Sequence, residues 1–102
     1  MEFTVTVTLD PPTARLQPVG ELDIFTARQV ADRLRSAVRS GCSTLVLDLS
    51  GVTFVDASAL GVLDRARVAL VADHGTLGMV AAPASFRRIC ELAGLGPAFG
   101  LN

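Results

Sequence analysis

The stretch LVLDLSGVTFVDASALGVLDRA, residues 45–66, decides the fold. Thr44-Leu45-Val46-Leu47-Asp48-Leu49 is a short, nearly continuous apolar run, the pattern of a strand buried on both faces at the centre of a sheet. Ser50 to Phe54 read as the connection that follows it. From Ala57 the period changes: Leu60, Leu63, Ala66 and Leu70 recur at three- and four-residue spacing, the inward stripe of a helix. His74-Gly75 stops that helix after Ala72. A buried strand feeding an amphipathic helix is the repeating half of a right-handed β-α-β crossover.

Working outward, Leu77 to Ala82 reads as the next strand. Pro83 or Ala84 opens a third helix that runs to about Ala93, Gly94 stops it, and Ala98 to Leu101 reads as a last short strand. On the amino-terminal side, Phe3, Val5, Val7 and Leu9 alternate with Thr4, Thr6 and Thr8, the period of a half-buried strand. Asp10-Pro11-Pro12-Thr13 is turn chemistry, and Ala14 to Val19 returns as the second arm of an antiparallel hairpin. Pro18 has no N–H to give a ladder, which places that stretch at an edge or a strand end. Gly20-Glu21-Leu22-Asp23 breaks the strand, and Thr26 with Gln29 has the form of a capping box. In the helix that follows, Ala27, Val30, Ala31, Leu34, Ala37 and Val38 face inward, with Gly41 as its terminal cap. The order strand, strand, helix, strand, helix, strand, helix predicts a single α/β domain spanning residues 1–102. It has a mixed central sheet, a leading antiparallel hairpin, and helices packed mostly on one face.

A chain of 102 residues, half of them apolar, holds one core and no second catalytic domain. The net charge is −1, and the nine basic residues, all arginine, are scattered among ten acids, so the basic stripe of a nucleic-acid binder is missing. Without tryptophan or tyrosine there is no stacking platform for single strands either. No apolar run has the length to cross a bilayer and the first residues do not form a leader, which points to a cytoplasmic protein with no membrane partner. Cys42 and Cys90 lie far apart without metal-ligand spacing and read as reduced, structural thiols.

Asp56 fits the N-cap of the second helix, accepting a backbone N–H from Ser58 or Ala59. Ser58 then stands in the first turn, where side chains reach solvent and the positive helix end favours an anion such as a phosphate. On spacing alone Ser58 is one more polar first-turn residue, and Asp23 and Asp56 are turn and capping residues. A nucleophilic role for Ser58 needs an oriented base, and His74, the only histidine, lies about 24 Å away along the same helix. Neither SGVTF nor GEL has the glycine spacing of a nucleotide-binding loop. No catalytic residue, cofactor or metal site follows from these patterns.

Three stretches together carry a resemblance. GELDIFTA (20–27), LVLDLSGVTFVDASALGVL (45–63) and ICELAGL (89–95) resemble, in order and over nearly the whole chain, the signatures of the STAS domain, in particular of the bacterial anti-sigma factor antagonists. The resemblance implies a non-enzymatic regulator that binds a kinase-type anti-sigma factor and so frees a sigma factor. Ser58 matches the serine that this kinase phosphorylates to release the antagonist, and that a serine phosphatase restores. By the same carry-over Asp23 helps form the kinase-binding surface beside Ser58, Asp56 caps the helix, and Ala59, Leu60 and Gly61 belong to its start, where a small residue permits close approach of a partner. Leu60 is nonetheless read as core, and Val68 falls on the more polar side of the helix. Ala57 and Ala59 depart from the family pattern, replacing a hydroxyl residue before the serine and a glycine after it; alanine stiffens the first turn. A second reading is a STAS scaffold or accessory subunit of another assembly, such as a transporter ATPase or a stress-signalling complex, without a phosphorylation cycle.

Overall fold

A computed structural model describes residues 2–101. Thr4–Asp10 (β1) and Thr13–Leu22 (β2) form the antiparallel hairpin, with Val5 opposite Pro18 and Val7 opposite Leu16. Ile24–Arg39 (α1) leads to Thr44–Asp48 (β3), then Val52–Val55 (β4), Ala57–Ala72 (α2), Thr76–Val80 (β5) and Ala84–Leu92 (α3). The sheet runs β1-β2-β3-β5, and β4 pairs with the far half of β2. All pairings except the hairpin are parallel, as the crossovers through α1 and α2 require.

The core lies between this sheet and the two long helices. Along β2, Ala14, Leu16, Pro18 and Leu22 are buried, as are Leu45 and Leu47 of β3 and Leu77 and Met79 of β5. Against them α1 sets Ala27, Val30, Ala31, Leu34 and Ala37, and α2 sets Ala59, Leu60, Val62, Leu63 and Leu70. Ala66 is only half-buried, at the margin of its predicted stripe. On α3, Phe86 and Cys90 are buried, and this helix packs against β4. Cys42 and Cys90 are free and buried, and burial pushes the Cys90 thiol up to about 11.

Four expectations are corrected. β3 is interior but not covered on both faces: Thr44 is exposed and Val46 and Asp48 are half-buried. The helix-free face carries polar pairs instead, Arg15 Nη2 donating to Asp48 Oδ2 at 2.9 Å and Gln17 Nε2 to Ser50 Oγ at 3.1 Å. β2 neither ends at Val19 nor lies at an edge; it runs to Leu22 and touches three other strands. Pro18 is tolerated because the β3 ladder ends at Leu16 and the β4 ladder begins at Gly20, leaving Pro18 in the gap between them. Residues 52–55 form a strand, not a connection. Residues 98–101 are a turn, not a strand: Phe99 N–H donates to Leu95 O and Leu101 N–H to Gly96 O, which satisfies the backbone locally while both side chains stay buried.

Candidate functional site

Because β2 and β4 run parallel with Leu22 opposite Val55, the residues that follow, Asp23 and Asp56, emerge side by side at the carboxyl ends of adjacent strands. Each starts a helix. The Asp56 N–H donates to Leu22 O at 3.2 Å, tying the two strand ends together. The carboxyl edge of a parallel sheet is where α/β domains present their binding residues.

Asp23 is the N-cap of α1, which corrects the expectation that Thr26 plays this part. Its Oδ1 accepts from the N–H groups of Phe25 and Thr26, both at 2.9 Å, while Thr26 Oγ1 accepts the Asp23 N–H at 2.9 Å. Thr26 is therefore the third helical residue of the capping box. Its hydroxyl donates to Glu21 O at 2.7 Å, fixing the strand end against the helix. The hydrogen bond from the Thr26 N–H, supported by those from the Thr26 side chain and the Phe25 N–H, holds the Asp23 carboxyl below its ordinary value against an opposing effect of burial.

Asp56 does the same for α2. Its Oδ1 accepts the Ala59 N–H at 2.9 Å and the Ser58 hydroxyl at 2.7 Å. Ser58 is exposed, and this hydrogen bond to Asp56 is the one its hydroxyl makes among the described residues. The structure places Asp23, Asp56 and Ser58 at one tip, with Gly61 about one turn further along α2. Ala59 does not share the surface: it is fully buried, since the third helical position turns towards the sheet, and its N–H is already taken by Asp56. Leu60 is core, as read, and Val68 is about half exposed. Gly61 is half-buried, and a β-carbon there would meet only Arg65 Nη1, at 3.7 Å. His74 lies past the far end of α2. Among the described residues no three His, Cys, Asp or Glu side chains gather as a metal site.

Two residues of this tip escape a reading of the sequence. Phe25, the second residue of α1, is 68% exposed, and Phe54, two residues before Asp56, is 50% exposed. Their signal is aromatic character at a position next to a cap, where no inward stripe passes.

Comparison with known proteins agrees with the fold. The family model described as Mlab, STAS domain matches residues 5–99. The anti-sigma-F factor antagonist RsfB of Mycobacterium tuberculosis is 33% identical over 99 residues, covering 97% of this chain and 80% of its own. The anti-sigma F factor antagonist of Lysinibacillus sphaericus is 31% identical over 87 residues, 83% of this chain and 74% of its own. Among solved structures, an anti-sigma factor antagonist from Mycobacterium paratuberculosis superposes with a TM-score of 0.81 at 28% identity, covering 96% of this chain and 83% of that one. The chain therefore belongs to the STAS domain family, and its relatives by sequence and by fold include anti-sigma factor antagonists.

Proposed function

We propose that this protein is an anti-sigma factor antagonist whose helix tip binds a kinase-type anti-sigma factor, frees a sigma factor, and is switched off by phosphorylation of Ser58. It acts in the cytoplasm as a binding protein and not as an enzyme; the kinase brings the ATP and a serine phosphatase restores the free hydroxyl. The observation that carries the reading is the exposed Ser58 in the first turn of α2, hydrogen-bonded to Asp56 at the strand end next to the one that carries Asp23, on an edge of the sheet where Phe25 and Phe54 are also exposed. Such an edge offers apolar contact surface together with one modifiable oxygen. A phosphoryl group there adds close to two negative charges where two carboxylates already stand, so a partner shaped for the neutral serine loses its fit without any refolding.

The test is to titrate the protein, Ser58→Ala and Ser58→Asp against a kinase-type anti-sigma factor from the same genome, and to incubate each with that kinase and ATP. Ser58→Ala should bind like the parent and take up no phosphate, whereas Ser58→Asp should bind about tenfold more weakly or worse. Equal affinity for all three forms would overturn the switch. Binding with no phosphate transfer would remove the phosphorylation cycle and favour the reading as a scaffold without one.

A further inference from the structure

The long helices enclose a groove of about 530 Å³ whose floor is apolar and whose rim carries Arg28, Arg35, Arg39 and Arg65. On α2 the lining residues include Val62, Arg65 and Ala69. Stepping back four residues from Val62, or seven from Arg65, reaches Ser58, so Ser58 continues the groove-facing stripe at its open end. Helical side chains lean towards the amino terminus, and Arg65 does so: its Nη1 lies 3.7 Å from the place a Gly61 β-carbon would fill. The guanidinium has therefore already travelled about one turn back along the axis. Only the three residues from Gly61 to Ser58, about 4.5 Å of rise, remain.

Arg65 is exposed and belongs to none of the ion pairs among the described residues, whereas Arg67 is held by Asp64 and Arg35 by Asp32. Ser58, by contrast, is held by donating its hydroxyl proton to Asp56 Oδ1. A phosphoryl group takes the place of that proton. The ester oxygen then has nothing to donate, and the dianion beside the Asp56 carboxylate is repelled.

We infer that phosphorylation swings the Ser58 side chain from Asp56 towards Arg65, which serves as the phosphate's counter-ion within the chain. The inference rests on Ser58 being the modified residue. Arg28 lines the facing wall, on the first turns of α1, and adds a second positive charge to the same end of the groove. The modified tip thus presents a partner with a phosphate already engaged by its own chain, in place of a free hydroxyl.

The experiment is a phosphorus NMR titration of the full chain carrying phosphoserine at position 58, installed during translation, alone and with R65Q or R39Q. Arg39 lines the same groove at its far end and controls for the loss of one positive charge. The second ionisation of the phosphate should rise by about half a pH unit or more in R65Q and stay put in R39Q. An unchanged value in R65Q, or an equal rise in both variants, would overturn the inference. Since the phosphate is supplied without a kinase, a failure of the kinase to modify Ser58 is a separate result, which removes the proposed switch and leaves this measurement readable.

Discussion

Asp23 shows what a single carboxylate does at this tip. Its hydrogen bonds from Thr26 and Phe25 favour the ionised form, so its pKa in the fold lies below the ordinary 3.8. The unfolded chain therefore takes up a proton at a higher pH than the folded one. The stability this gives is fully present above the ordinary value and is lost as pH falls through the folded value. Asp23→Ala should lower the melting temperature by about 5 °C at pH 7. That gap should close as the pH falls through the folded value, where the parent's cap is protonated too. Melts followed by circular dichroism on either side of that value check this, and a gap independent of pH would show that the carboxylate is not what caps α1. The caps also mark how much of the site was legible. Asp56 and the exposure of Ser58 follow from contacts two and three residues apart, which spacing encodes. The Asp23 cap was misassigned to Thr26 because both sides of a capping box carry hydroxyl or carboxyl oxygens, and sequence does not say which one sits outside the helix. Phe25 and Phe54 carry only a weak signal, aromatic character two residues from a cap, because exposure at a strand or helix end is set by tertiary packing and not by local spacing.

At the scale of elements, the strand that spacing missed is β4, and the cause is its register on β2. Gly20 pairs with Val52 but Glu21 with Phe54, so Thr53 is an extra residue on β4. The burial order becomes buried, exposed, exposed, buried, which has no period of two to read. The bend leading into β4 depends on Gly51, where a β-carbon would stand 2.9 Å from Val19 Cγ2 and 3.1 Å from Pro18 O. One of these contacts is backbone, so the crowding is not relieved by a rotamer change. Gly51→Ala should cost about 1–3 kcal/mol. Gly61 is the opposite case: helical, with an ordinary contact to the end of one flexible arginine. Gly61→Ala should stabilise the fold by about 0.5–1 kcal/mol. Urea unfolding measures both, and a shift of the same sign for the two glycines would contradict the contacts on which the strand placement rests.

Over the whole molecule, binding and folding are assigned to different places. The strands deliver Asp23 and Asp56 to the carboxyl edge of the sheet, and the tip formed there contributes little to the core, since Phe25, Phe54 and Ser58 are all exposed. Stability comes from the layer between the sheet and α1 and α2, and from the carboxyl-terminal closure in which Phe86 and Phe99 are almost wholly buried. The layer order was legible because helices covering one face leave a period in every long element. The closing turn was not, because a buried phenylalanine satisfies a strand or a turn equally well until the hydrogen bonds of residues 95–101 are seen. This division predicts opposite behaviour for two phenylalanines. Phe99→Ala should cost about 3–5 kcal/mol in urea unfolding. At a temperature where it is still folded, it should bind the anti-sigma factor as the parent does. Phe25→Ala should leave stability within about 0.5 kcal/mol and weaken binding about tenfold, as expected for an exposed aromatic anchor on the proposed binding surface. Calorimetric titration beside the urea curves separates the two quantities. If Phe25→Ala binds with undiminished affinity, the partner does not dock on the tip around Ser58, and the proposed binding surface is wrong whatever the fate of the serine.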